Sequence, residues 1–123
     1  MSVDGIVVSV SAGSREHGVS VLKVSGYLDT TTASELESAL YGLIGRKEYK
    51  IVIDLSGVNY ISSAGWGIFI SEIKDIRHKG GDIRLSGMSG DVYEVFQLLE
   101  FDSILEAYEG TDEAIASFGE TAQ

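Results

Sequence analysis

The chain has 123 residues, of which 44% are hydrophobic, and carries a formal net charge of −10. Its length fits one folded unit with a real hydrophobic core, so we expect a single domain over residues 1–123. The absence of cysteine excludes disulfides and thiolate metal sites. With no apolar run near the roughly 18 residues of a membrane span and no signal peptide, we expect a cytoplasmic protein.

Three segments rich in Val, Ile or Ser predict strands in the first half of the chain: residues 6–11, 19–25 and 51–55. A turn over residues 12–18 joins the first two strands. The third strand is almost entirely apolar, which is typical of a strand covered on both faces, and a short loop follows it. Thr32 and Glu35 have the spacing of a capping box, and the helix that they begin ends at Gly45. Its buried stripe is predicted to contain Leu36, Leu40, Leu43 and Ile44.

The second half predicts three helices and two further strands. The second helix covers residues 64–79 and ends at Gly80-Gly81. Ser89 is suited to cap a third helix, and Thr111 begins a last one. Strands are predicted over residues 82–86 and 104–108. In chain order, the buried stripes of the three helices contain Trp66, Phe69, Ile70 and Ile73, then Val92, Val95, Phe96 and Leu99, then Ile115 and Phe118.

This order of elements predicts an α/β fold. Two opening strands followed by alternating helices and strands indicate one mixed sheet of four to five strands, with about four helices packed mainly on one side. The chain contains no proline, internal repeat or linker that would divide it.

Two adjacent serines, Ser62 and Ser63, lie at the predicted start of the second helix. The first turn of a helix leaves backbone N–H groups unpaired and carries the positive end of the helix dipole. One interpretation is structural, because serine is a favoured N-cap and one of the two would cap the helix. The other is a phosphoserine switch, because those N–H groups would stabilise an added phosphate.

The sequence around these serines resembles the central motif of the STAS domain, and more narrowly that of bacterial anti-sigma-factor antagonists. The shared order, over residues 54–67 here, is a strand with Asp-Leu-Ser, then Val-x-Tyr-Ile, Ser-Ser-x-Gly-x-Gly and a helix. In these antagonists the serine that matches Ser63 is phosphorylated by the anti-sigma factor, which is itself a serine kinase. They usually have Asp-Ser-Ser or Asp-Ser-Ala where this chain has Ser62-Ser63-Ala64, so Ser62 stays open as the alternative acceptor.

A second region of resemblance is Gly26-Tyr27-Leu28-Asp29 with the threonines that follow. Asp29 matches an aspartate that, in the antagonists, lies near the phosphorylated serine and helps to engage the kinase. The alternative is that Asp29 only ends a strand and helps to start a helix. In the STAS fold the two loops lie side by side. The resemblance therefore implies a partner-binding surface made of the exposed face of the second helix and five loop residues: Asp29, Thr30, Thr31, Ser62 and Ser63.

Basic residues are confined to the first two thirds of the chain. All nine Lys and Arg lie at or before Arg84, and residues 85–123 carry nine acids and no base. Nucleic acids and anionic membranes require cationic patches, so neither is expected as a partner. A partner with a basic face is permitted, although acidic helix faces also serve to keep a protein soluble.

The sequence predicts no catalytic residue, cofactor or metal site. Ser63 and Gly65 match only part of the Gly-x-Ser-x-Gly elbow of serine hydrolases, since Ile61 occupies the other glycine position. His17 lies in a predicted surface turn. His78 lies about 20 Å from Ser63 along the helix, at roughly 1.5 Å per residue, which is too far for a general base. Two distant histidines also lack the spacing of metal ligands.

The resemblance implies a binding module controlled by phosphorylation. Unphosphorylated, it would bind an anti-sigma-factor serine kinase and free the sigma factor. When phosphorylated on Ser63, it would release the kinase. A metal-dependent serine phosphatase would then restore its affinity for the kinase. The alternative is a scaffold or accessory subunit of a signalling or transport complex, because other STAS domains have such roles and the motif is then purely structural.

Overall fold

The computed structural model describes residues 6–14 and 18–120; His17 and part of the predicted first turn lie outside this range. The described chain forms one five-stranded sheet with four helices, which confirms the predicted α/β fold. The strands are β1 (Ile6–Ser14), β2 (Val19–Leu28), β3 (Lys50–Ile61), β4 (Asp82–Ser86) and β5 (Glu106–Tyr108). The helices are α1 (Ala33–Gly45), α2 (Ser63–His78), α3 (Gly90–Leu98) and α4 (Thr111–Glu120), with a 3-10 turn at Phe101–Ser103.

The strands lie in the sheet in their sequence order. β1 pairs antiparallel with β2, whereas β2, β3, β4 and β5 are parallel neighbours. Parallel neighbours need crossover connections, and α1, α2 and α3 supply them. The carboxyl ends of these strands therefore meet at one edge of the sheet. The loops that carry the predicted site leave from this edge.

Most of the hydrophobic core lies between one face of the sheet and the helices α1, α2 and α3. On this face the strand residues Leu22 and Ile53 are fully buried together with Phe69 of α2. A smaller core lies on the opposite face, where Ala114 and Phe118 of α4 pack on three strand residues: Val19, Val21 and Val52. Three helices thus share one face of the sheet, and α4 covers part of the other.

A buried arginine holds α4 against the sheet. Arg84 of β4 forms an ion pair with Asp82 at 3.0 Å and donates to the Ser117 Oγ at 2.7 Å. Its guanidinium carbon lies 4.2 Å from the ring centre of Phe118. A buried charge is stable only when it is paired and hydrogen-bonded. These contacts therefore explain how the last basic residue of the chain can be almost fully buried.

The loop predicted after residue 55 is absent, because β3 continues to Ile61. β2 likewise continues to Leu28, and the two strands pair along their whole length with two irregularities in register. Gly57 permits this close pairing, since a Cβ at that position would lie 2.5 Å from the Ser25 Oγ. A single residue, Ser62, separates β3 from α2.

The buried stripe predicted for the third helix is only half right: Val92 and Phe96 are buried, but Val95 and Leu99 are exposed. The reason lies just after α3. Glu100 adopts the left-handed conformation, with φ at 59°. The chain turns there, and Phe101 packs against Trp66 with ring centres 5.3 Å apart. Phe101, rather than Leu99, therefore covers this part of the core.

Candidate functional site

The ends of β2 and β3 bring the two predicted loops together. Leu28 pairs with Ile61 in the parallel register, and the Ser62 N–H donates to the Leu28 carbonyl at 2.8 Å. Asp29 and Ser62 are the next residues on the two chains. The structure therefore places both at the same edge of the sheet, side by side.

Ser62 is the N-cap of α2. Its backbone is extended, with φ at −82° and ψ at 173°, and its Oγ accepts the Gly65 N–H at 3.3 Å. Its carbonyl accepts the Trp66 N–H at 3.0 Å. The hydroxyl of Ser62 thus satisfies one of the N–H groups that the first turn of a helix leaves unpaired.

Ser63 is the first residue of α2 and is exposed. Its hydroxyl has no hydrogen-bond partner within residues 6–14 and 18–120. The first turn of α2 contains no acidic residue, so no carboxylate of that turn offsets the positive end of the helix dipole. Of the two serines, Ser63 is the one whose hydroxyl is open to another molecule.

The Asp29 carboxylate organises the turn into α1. Its Oδ1 accepts the Thr31 hydroxyl at 2.7 Å, the Thr31 N–H at 2.8 Å and the Thr32 N–H at 3.1 Å. The Thr31 hydroxyl and these backbone N–H groups hold the pKa of Asp29 below its ordinary value of 3.8. Asp29 therefore helps to start α1, which agrees with the alternative interpretation that it ends a strand and begins a helix. Thr30 and Thr31 stay exposed beside it.

The predicted capping box at Thr32 and Glu35 is wrong. The side chain of Thr32 makes no cap bond to the helix. Its buried hydroxyl instead donates to the Tyr27 carbonyl at 2.9 Å and accepts the Asp29 N–H at 2.9 Å. The Asp29 carbonyl accepts the Ala33 N–H at 2.8 Å, so the turn into α1 begins at Asp29. Because the Thr32 hydroxyl is taken up by the Tyr27 carbonyl and the Asp29 N–H, it does not cap α1.

Two glycines shape the inner and outer sides of α2. Gly65 faces the sheet, where a Cβ would lie 2.8 Å from the Leu28 Cγ. Gly67 instead faces open space and is exposed, as are Ser63 and Ser71. These three residues are spaced at i, i+4 and i+8, so they form one smooth outer face of small side chains. The exposed side of the second helix belongs to the surface predicted from the sequence, but its small side chains at four-residue spacing were not singled out there.

Comparison with known proteins identifies the family of this chain. A family model described as the STAS domain matches residues 14–114. The chain belongs to the STAS domain family. The anti-sigma-B factor antagonist of Staphylococcus aureus is 28% identical to it over 91 residues, which cover 74% of this chain and 84% of the relative.

Solved structures share the architecture of this STAS domain. An anti-sigma factor antagonist from Mycobacterium paratuberculosis has a TM-score of 0.83 and 27% identity, over 94% of this chain and 96% of its own. The anti-sigma factor antagonist SpoIIAA in its unphosphorylated form has a TM-score of 0.76 and 18% identity, over 95% of this chain and 100% of its own. SpoIIAA of Bacillus in its phosphorylated form has a TM-score of 0.68 and 18% identity, over 90% of this chain and 98% of its own.

Trp66, which the sequence assigns to the buried stripe of the second helix, lies in the core of the STAS domain. It is 1% exposed and contacts Phe69 edge-on, with ring centres 5.8 Å apart, and Phe96 at 5.7 Å. Its Nε1 has no hydrogen-bond acceptor among the described residues. Packing of this kind anchors the first turns of α2, and with them Ser63, against the core.

His78 lies at the opposite end of α2 from Ser63, as predicted, and cannot act as its base. Over residues 6–14 and 18–120, no three His, Asp or Glu side chains cluster closely enough to hold a metal ion. None of the described helices is long and apolar enough to cross a membrane.

Proposed function

We propose that this STAS domain is an anti-sigma-factor antagonist whose binding is controlled by phosphorylation of Ser63. The observation that carries the proposal is the different use of two adjacent serines. Ser62 is occupied as the cap of α2, whereas Ser63 presents an open hydroxyl in the first turn. The relatives from Staphylococcus aureus and Mycobacterium paratuberculosis are named anti-sigma factor antagonists, which supports the general role. SpoIIAA, which shares the fold, is known in unphosphorylated and phosphorylated forms.

In the unphosphorylated state, one face of the domain binds the anti-sigma factor, a serine kinase. We define the switch face as the outer side of α2 together with Asp29, Thr30, Thr31, Ser62 and Ser63. Its small side chains, including Gly67, allow the backbone of a partner to approach closely. The turn at Asp29 is fixed by its hydrogen bonds, so the exposed threonines need little ordering on binding.

Phosphorylation changes the charge of this face. The Ser63 Oγ attacks the γ-phosphorus of ATP bound to the kinase, ADP leaves, and a base of the kinase takes the hydroxyl proton. The phosphate adds a charge of about −1.5 to −2 and three acceptor oxygens. In the free domain the N–H groups of the first turn of α2 stabilise this charge. Within the complex it would be desolvated beside the Asp29 carboxylate, so release is favoured.

A metal-dependent serine phosphatase then removes the phosphate by hydrolysis and restores the binding form. The STAS domain itself needs no catalytic residue for this cycle. It acts as a binding module, and the kinase and phosphatase supply the chemistry.

The test is to incubate the purified chain with an anti-sigma kinase of its own organism and ATP, and to locate the phosphate by mass spectrometry. Ser62→Ala and Ser63→Ala serve as a matched pair, because the two residues are neighbours of the same type. We expect phosphate on Ser63 in the parent and in Ser62→Ala, and none in Ser63→Ala. Phosphate on Ser62, Ser56, Ser89 or a threonine would contradict the assignment, and no phosphate with any kinase would favour the scaffold role.

A further inference from the structure

The outer side of α3 carries apolar side chains that no described element covers. Val95, Leu98 and Leu99 are 38%, 74% and 51% exposed. At positions i, i+3 and i+4 they share one side of the helix. A single exposed apolar residue is ordinary, but three in one row indicate a surface that binds another molecule.

This row continues into a groove beside β3. The groove has a volume of about 220 Å³, and Tyr60, Ile61, Trp66 and Val95 are among its lining residues. Tyr60 is 56% exposed at its rim. The volume is below the range of about 300–1,000 Å³ that is typical of small-molecule sites. The groove therefore fits one apolar side chain of a larger partner.

The charges around α3 determine which partner is favoured. Asp91, Glu94, Glu100 and Asp102 lie in or just after α3 and are all exposed. Residues 85–123 contain no Lys or Arg that could offset them. A second copy of the chain would bring acids against acids, and anionic lipid or nucleic acid would be repelled. A partner with basic residues beside its apolar ones is attracted.

We propose that the α3 surface, which we define as Tyr60, Val95, Leu98 and Leu99, docks an amphipathic helix of another protein. The partner helix has apolar residues at helical spacing and Lys or Arg along both edges of that stripe. One of its apolar side chains enters the groove, and the others pack on Leu98 and Leu99. The surface does not include Ser63, so this inference stands independently of the proposed switch.

The probe is a synthetic helical peptide of Leu and Lys, with Leu at i, i+3, i+4 and i+7. A peptide of the same composition with shuffled Leu positions is its control. Both are titrated into the isotope-labelled full chain, and amide resonances and dissociation constants are followed by NMR. We expect shifts at residues 60 and 95–99, and binding of the amphipathic peptide that is tighter than that of the shuffled one by about tenfold or more.

Two matched variants separate apolar from purely electrostatic binding. Leu98→Glu removes an apolar contact but adds a charge that attracts the peptide, and we expect it to weaken binding about tenfold or more. Val7→Glu makes the same kind of change at an exposed position of β1, and we expect it to leave the dissociation constant unchanged. Leu99→Gln provides the comparison if Leu98→Glu does not fold, as judged by thermal unfolding.

Several outcomes would overturn the proposal. Equal or tighter binding by Leu98→Glu, or equal binding of the shuffled peptide, would show that charge alone attracts the probe. Binding of the chain to phosphatidylglycerol vesicles would assign the surface to a membrane. A dimer in sedimentation that Leu98→Glu abolishes would assign it to a second copy of the chain.

Discussion

The Ser62 N–H donates to the Leu28 carbonyl at 2.8 Å and so extends the pairing of β2 and β3 by one residue. The backbone at Ser62 is therefore set by strand register, whereas the turn after Asp29 is held by the Asp29 carboxylate. Register is fixed in turn by buried residues at the strand ends, including Leu28 and Ile61. Substitution of the exposed residues should leave this backbone in place, which separates effects on binding from effects on folding.

The two serines should differ in their effect on stability. Ser62→Ala removes the cap of α2, which typically costs about 0.5–2 kcal/mol, whereas the Ser63 hydroxyl makes no described hydrogen bond. We therefore expect Ser62→Ala to lower the free energy of unfolding and Ser63→Ala to change it by less than about 0.5 kcal/mol. Urea unfolding of the two variants and the parent measures this difference. Equal losses would mean that Ser63 also caps the helix.

Ser63→Asp should weaken binding of the anti-sigma kinase, while Ser63→Ala keeps it. Aspartate in the first turn suits the helix dipole, so its Tm should change little. The loss of affinity then reports the added charge within the switch face and not unfolding. Isothermal titration with the kinase, together with thermal unfolding of each variant, measures both quantities. If Ser63→Asp bound as tightly as the parent, charge could not be the switch.

Gly67 and Gly42 provide a matched test of the outer side of α2. Both are exposed in the interior of a helix, and a Cβ at either position meets open space. Glycine costs about 0.5–1 kcal/mol relative to a good helix former, so Gly67→Gln and Gly42→Gln should both raise the free energy of unfolding. Only Gly67→Gln should weaken kinase binding, because its side chain would stand beside Ser63 on the switch face. Similar kinase affinities for the two variants would show that the outer side of α2 is not part of the switch face.

The sequence predicted the elements best where local pattern and core packing agree. The apolar run at residues 51–55 predicted a buried strand, but Ser56, Gly57 and Asn59 are weak strand formers. Their strand conformation depends on the surrounding long-range pairing: Gly57 lies opposite Ser25 of β2, and Ser56 and Asn59 fall at the two irregularities in the register. The burial of Arg84 likewise depends on Ser117, 33 residues away. Such long-range partners are not visible in local periodicity.

The site could be located from the sequence but not resolved in detail. The motif placed Asp29 near the two serines, and parallel pairing of β2 and β3 brings them together. The pattern placed Thr32 correctly at the start of α1, but it could not show that the Thr32 hydroxyl bonds back to the Tyr27 carbonyl and the Asp29 N–H instead of capping the helix. The roles of Ser62 and Ser63 depend on the residue at which β3 ends, and element boundaries are the least predictable feature of a sequence.

Asp29→Asn should separate the turn from its charge. Asparagine can accept the same N–H groups, so the turn into α1 should persist. Because the folded-state pKa of Asp29 lies below its ordinary value of 3.8, its carboxylate stabilises the fold above that pH. This contribution is lost as the pH falls through the lower folded pKa. Urea unfolding should show the parent more stable than Asp29→Asn at neutral pH, with the difference disappearing in strong acid. A difference in stability between the parent and Asp29→Asn that does not depend on pH would contradict a stabilising role of the Asp29 charge.

The acidic residues near α4 should affect the rate at which the kinase associates, whereas Asp29 should affect the rate at which it dissociates. Glu109, Asp112 and Glu113 are exposed and lie outside the switch face, so they attract a basic partner only at long range. The triple variant Glu109→Gln/Asp112→Asn/Glu113→Gln should slow kinase association and flatten its salt dependence, because exposed charges are screened beyond about 8 Å at physiological ionic strength. Asp29→Ala removes the acceptor that orders Thr31 and Thr32, so it should speed dissociation of the kinase. Stopped-flow kinetics of the triple variant and of Asp29→Ala at two salt concentrations distinguish the effect on association from the effect on dissociation. If the triple variant abolished binding while Asp29→Ala left it intact, the switch face would lie elsewhere on the domain.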